Sequence, residues 1–178
     1  MPSRTFTIRC PINLSSKIPG ASVIIKNEIP LLEYDDASPE VITADHEWTA
    51  DQLPEKCLFA FLGDVVHDYA NEHGAEVIET IITVSRDIKV YVLTSHGEKI
   101  CLVQSPTGSA PSTQVMDILV TCGCKKIVAV GSCGVLKEIQ ENAFLVPTKA
   151  LRAEGTSYHY LPASRYICLL YTSDAADE

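Results

Sequence analysis

The stretch from Lys89 to Gly134 constrains the fold most, because its apolar runs and small-residue turns alternate in a definite order. KVYVLTSHGEKICLVQS places two strand-like runs around His96-Gly97-Glu98, a spacing that predicts a hairpin. Thr107 to Ser112 is a small, flexible connection; QVMDILVTCG follows with helical spacing at Val115, Ile118 and Leu119 and a stop at Gly123. KKIVAVGS then reads as a third buried strand. Strand, small-residue turn, helix and strand form a βαβ-type order, and such units place ligand sites at the carboxyl ends of their strands.

Upstream, Cys57 to Leu62 (CLFAFL) is a short apolar run that fits a buried strand. Gly63 then opens DVVHDYANEHG, in which Val65, Val66, Tyr69 and Ala70 are expected to share a helical face that ends at Gly74. Residues 1–56 carry most of the early prolines and an acidic cluster of Glu33, Asp35 and Asp36, and read as an extended arm with short strands or turns. With 46% apolar residues in 178, the chain has enough to bury one α/β core.

A net charge of −9, from 23 acidic and 14 basic residues, argues against nucleic acid or an anionic membrane as partner. No apolar run is long enough for a membrane span, and MPSRTFTIRC lacks a secretory signal's continuous apolar segment, so the chain reads as cytoplasmic. Seven scattered cysteines suggest reduced, mostly buried thiols. Cys122-Gly-Cys124 is too tight for the usual zinc knuckle and no second Cys or His pair accompanies it, so it reads as structural and no metal is expected.

Three small-residue turns follow apolar strands: Gly63-Asp64, Thr107-Gly108-Ser109 and Gly131-Ser132-Cys133-Gly134. Each can present backbone N–H groups to an anion, and each alone is equally well explained as a turn whose dihedrals need glycine. Three in one sheet favour a ligand site more than any one of them, since strand ends in such sheets lie side by side.

From Cys57 to Ile167 the sequence resembles the nucleoside phosphorylase-I superfamily, which includes purine nucleoside and uridine phosphorylases and related nucleosidases. AFLGDVVHDYANEH is similar to the family's opening strand and Gly-Asp-Pro-x-Arg turn, SPTGSAPS to its second glycine turn, and IVAVGSCGVL to its strand ending in Arg-x-Gly-(Ser/Thr)-Cys-Gly. VPTKALRAEGTSYHYLP resembles the segment that crosses the base pocket. The resemblance implies an α/β fold with a mixed sheet flanked by helices, assembled as dimers or trimers of dimers. It also implies cleavage of a nucleoside's N-glycosidic bond with inorganic phosphate as co-substrate and no other cofactor.

Position by position, the resemblance gives phosphate roles to Gly63, His67, Ser132 and Arg86, the last donated across a subunit interface. Gly108, Cys133, Gly134 and Tyr160 would bind the nucleoside. His46 would reach a neighbour's ribose hydroxyl, although an exposed histidine in a polar arm accounts for it as well; His159 reads as structural and Glu154 as a helix-end or loop carboxylate in solvent. No catalytic residue is assigned, because the family's ribose-binding glutamate and general-acid aspartate correspond to positions beyond Ile167.

Two departures alter the expected chemistry. His67 stands where phosphorolytic members have the arginine of Gly-Asp-Pro-x-Arg, and Ala129 where they have the arginine before Gly-Ser-Cys-Gly. At about 1.5 to 3 kcal/mol per charge-assisted bond, two such losses weaken phosphate binding by about two to four orders of magnitude. Water as nucleophile, or binding without catalysis, are therefore the competing readings. Residues 168–178, CLLYTSDAADE, leave the family pattern and read as a non-native tail on a chain truncated after Ile167, which is expected to be inactive by itself.

Overall fold

The computed structural model describes residues 25–35, 38 and 53–168, and His46 lies outside them. They fall into two units, 53–144 and 25–38 with 145–168.

In the first unit the chain runs β1 (Lys56–Phe61), α1 (Val65–Glu72), β2 (Glu76–Ile82), β3 (Asp87–Ser95), β4 (Glu98–Gln104), α2 (Ser109–Thr121) and β5 (Lys126–Gly131). These strands form one mixed sheet in the order β2-β3-β4-β1-β5. The β3–β4 hairpin closes on His96-Gly97, with Ser95 paired to Glu98. β1 pairs in parallel with β4 on one side and β5 on the other, so the crossover through α2 carries the chain past β1. The fold is thus α/β, a five-stranded mixed sheet flanked by two helices.

Period-2 alternation along β1 and β4 sorts the core onto two faces. Cys57, Phe59, Cys101 and Val103 pack with Val115 and Leu119 of α2, whereas Ala60 and Leu102 pack with Val66 and Ala70 of α1. Phe59, Val103 and Leu119 are fully buried, each contributing about 1.5 to 3 kcal/mol through lost apolar exposure.

Several expectations need correction. Val65 and Tyr69 are not on the buried face of α1: they are exposed, and only Val66 and Ala70, one helical turn apart, enter the core. Tyr69 instead stacks on His73 at 3.9 Å between centroids. Helix α2 starts at Ser109, so Ser109 to Ser112 is not a flexible connection but the first helical turn. Pro111 fits there because first-turn N–H groups have no intrahelical acceptor.

β5 is not a buried strand. It is an edge of the sheet among the described residues, and Val128 is well exposed. β2, which the sequence reading passed over, occupies the opposite edge; its β-branched content was the available signal, blurred by a register shift between Val77 and Glu79.

The second unit holds an isolated bridge between Ile25 and Tyr34 around a short 3-10 turn, Pro30–Leu32. It also holds the antiparallel pair β6 (Lys149–Leu151) and β7 (Tyr166–Cys168), with a second 3-10 turn, Thr156–His159, between them. Among the described residues no helix is long and apolar enough to cross a membrane.

Candidate active site

The parallel strands β4, β1 and β5 are adjacent and end together, with Ala60 in register with Gln104 and Phe61 with Gly131. The turns carrying Gly63, Gly108 and Ser132 therefore line one edge of the sheet, and α1 and α2 start there. Helix starts leave backbone N–H groups without intrahelical partners, which favours negative charge at this edge.

Each turn has its own local cause. Gly63 sits at φ +62, in the left-handed region, and its carbonyl accepts from the Val66 amide at 3.2 Å as α1 begins. The second turn is pinned to the first strand by the Ser105 amide, which donates to the Ala60 carbonyl at 2.8 Å. Inside it the Ser105 and Ser112 hydroxyls pair at 3.0 Å, and Ser112 donates to the Pro106 carbonyl at 2.8 Å. At the third, a Cβ on Gly131 would lie 3.0 Å from the Phe61 Cβ, so the close approach of β5 to β1 favours glycine. Ser132, Cys133 and Gly134 follow it and are exposed.

Two polar pairs sit on the α1 face of the sheet. Arg86, just before β3, donates from Nη2 to Oε1 of Gln104 at 3.2 Å. Because β3 runs antiparallel to β4, this places a guanidinium beside the carboxyl end of β4. His67, half-buried on α1, pairs through Nδ1 with the buried Tyr91 hydroxyl at 2.9 Å. The position that carries arginine in the family pattern thus holds an imidazole tied to β3. Ala129, the other departure, is an exposed residue of β5 in register with Phe59.

Tyr160 belongs to the second unit, where its carbonyl accepts from the Tyr34 hydroxyl at 3.3 Å. The segment that carries it is organised by Arg152, a buried cation. Its guanidinium donates to the Ser157, Leu161 and Pro162 carbonyls and to the Ser157 and Ser164 hydroxyls, and it lies 4.2 Å over the Tyr158 ring. Glu154 accepts from the Thr156 and Ser157 amides at 2.8 and 3.1 Å at the start of the second 3-10 turn, partly buried instead of the solvated carboxylate expected.

Gly63, Gly108, Ser132, Cys133 and Gly134 are therefore brought to one sheet edge, with Arg86 and His67 on elements that reach it. Sequence reading missed Gln104, Tyr91 and Arg152, which position those residues and the Tyr160 segment. A polar residue closing an apolar run, as Gln104 closes KICLVQ, was the one local signal for any of them.

The family model described as "Phosphorylase superfamily" matches residues 56–174. No curated protein matches the chain.

Proposed function

Because the chain belongs to the phosphorylase superfamily, we propose that the protein encoded by its full reading frame cleaves the N-glycosidic bond of a purine or pyrimidine nucleoside with phosphate as acceptor, in nucleoside catabolism or salvage. The observation that carries this reading is the alignment of three small-residue turns at the carboxyl ends of β4, β1 and β5, where crevices in α/β sheets take their ligands. Phosphate is the one co-substrate needed, and the working form is a cytoplasmic homo-oligomer, a dimer or trimer of dimers.

The chemistry asks for little covalent help from the protein. Positive charge grows on the sugar as the base departs, and an anion held in line beneath the anomeric carbon stabilises that charge and completes the displacement. The Gly63 amide, the Ser132 hydroxyl and the Arg86 guanidinium, the last reaching a neighbouring subunit's site, hold the phosphate. Gly108, Cys133 and Gly134 form the nucleoside side of the site, and the family resemblance assigns a nucleoside contact to Tyr160. Ser132→Ala is expected to weaken phosphate or nucleoside binding about tenfold, the effect of one hydrogen bond to a charged group, with the thermal midpoint unchanged. Calorimetric titration reads this, and unchanged affinity removes Ser132 from the site.

A second reading, hydrolysis by water, is favoured by His67 and Ala129, which leave Arg86 as the single arginine of the three that the family pattern supplies. The exposed position of Ala129 makes the comparison practicable. Ala129→Arg is expected to tighten phosphate binding at least tenfold by restoring a charge-assisted fork. Chromatography of base released at graded phosphate concentrations separates the readings: a rate that rises with phosphate supports phosphorolysis, and a rate independent of it supports hydrolysis.

A further inference from the structure

Three cysteines far apart in sequence meet at the opposite end of the sheet from the candidate active site. Cys57 starts β1, its register partner Cys101 lies on β4, and Cys124 sits in the connection from α2 to β5. All three are buried on the α2 face, and their sulfurs lie within 4.8 Å of one another. The Cys124 thiol also donates to the Pro54 carbonyl at 3.4 Å. Single buried cysteines act as small apolar residues, but three sulfurs converging from three elements make a preformed soft-donor set.

We propose that Cys57, Cys101 and Cys124 form a binding site for a trivalent metalloid, taken up from its oxyacid as a neutral tris-thiolate.

Geometry and charge select this class. Three sulfurs each held at about 2.3 Å from one ion lie at most about 4.0 Å from one another, so side-chain rotations that draw the sulfurs inward by under about 1 Å close the triangle. Among the described residues the cluster includes no fourth histidine, cysteine or carboxylate. That disfavours zinc, whose structural sites are four-coordinate and which would leave three thiolates with a net negative charge in an apolar core.

Trivalent arsenic needs three ligands and leaves no net charge. Arsenous acid, As(OH)3, exchanges its three hydroxyls for three thiolates: three S–H bonds and three As–O bonds break, three As–S bonds form, and three waters leave. Arsenic stays trivalent throughout. The site lies roughly 20 Å along β1 from Gly63, too far to obstruct a ligand there.

The test uses reduced protein in which Cys10, Cys133 and Cys168 are replaced by serine, with arsenite as the probe. Native mass spectrometry is expected to show one arsenic gained and three hydrogens lost, and arsenic K-edge absorption three sulfur neighbours. The thermal midpoint should rise on loading. Adding Cys101→Val is expected to lower arsenite affinity at least a hundredfold, because the third arm of the chelate is lost. The absorption measurement stands even where that variant does not fold. No uptake, two sulfur neighbours, uptake that vanishes with the three serine replacements, or a Cys57–Cys101 disulfide in place of the adduct would each overturn the proposal.

Discussion

Replacing Arg152 with methionine is expected to destabilise the β6–β7 unit by about 3 to 5 kcal/mol, the largest effect of any single substitution considered. Each charge-assisted bond contributes about 1.5 to 3 kcal/mol, and hydration of the freed groups recovers part of the total. Methionine keeps the length and apolar body of the side chain but leaves the Ser157, Leu161 and Pro162 carbonyls without their donor. The Arg152 amide itself bonds to the Arg165 carbonyl at 3.0 Å, which makes it a local reporter. Its hydrogen-exchange protection should fall about a hundredfold or more, with β1 to β5 unaffected. Arg152→Lys should recover only part, since a point ammonium cannot reproduce a planar fork. Unchanged protection in the methionine variant would show that Arg152 does not organise the segment carrying Tyr160.

Arg86→Ala carries the second large expected effect, a loss of phosphate affinity of about thirtyfold to a hundredfold or more. On the family resemblance Arg86 is the single arginine left of three, so no other described residue of the proposed site supplies a permanent fork. Its anchor is Gln104, and Gln104→Leu should reproduce part of the loss, because an unanchored guanidinium samples many rotamers. A raised KM for phosphate with unaltered KM for nucleoside is the expected kinetic signature. If Arg86 serves a neighbouring subunit, mixing Arg86→Ala with Ser132→Ala protein should regenerate some unmutated sites. Equal KM values in Arg86→Ala and unmodified protein would remove it from phosphate binding.

Much of the fold was legible because it rests on local pattern. Apolar runs marked β1, β3, β4 and β5, and the His96-Gly97 turn and the Gly123 stop fell where glycine and spacing put them. What failed depended on the third dimension. The burial of β5 follows from its place in the sheet, not from its composition, and the exposure of Val65 and Tyr69 follows from which side of α1 meets β4 and β1.

The candidate site divides the same way. Its turns are contiguous motifs and could be read directly. Its supports, Gln104 beneath Arg86, Tyr91 against His67 and Arg152 among its carbonyls, are contacts between elements. The thiol cluster is the extreme case. Cys122-Gly-Cys124 reads as an isolated pair, yet Cys124 meets two cysteines brought to it by β1 and β4.

The most direct test of the central claim is phosphorus NMR of the protein expressed from the full reading frame of its source gene, incubated with purine and pyrimidine nucleosides and inorganic phosphate. The account predicts a pentose 1-phosphate resonance that grows in step with free base, and no base release when phosphate is omitted. Base released at the same rate without phosphate, with free pentose as the product, would contradict it.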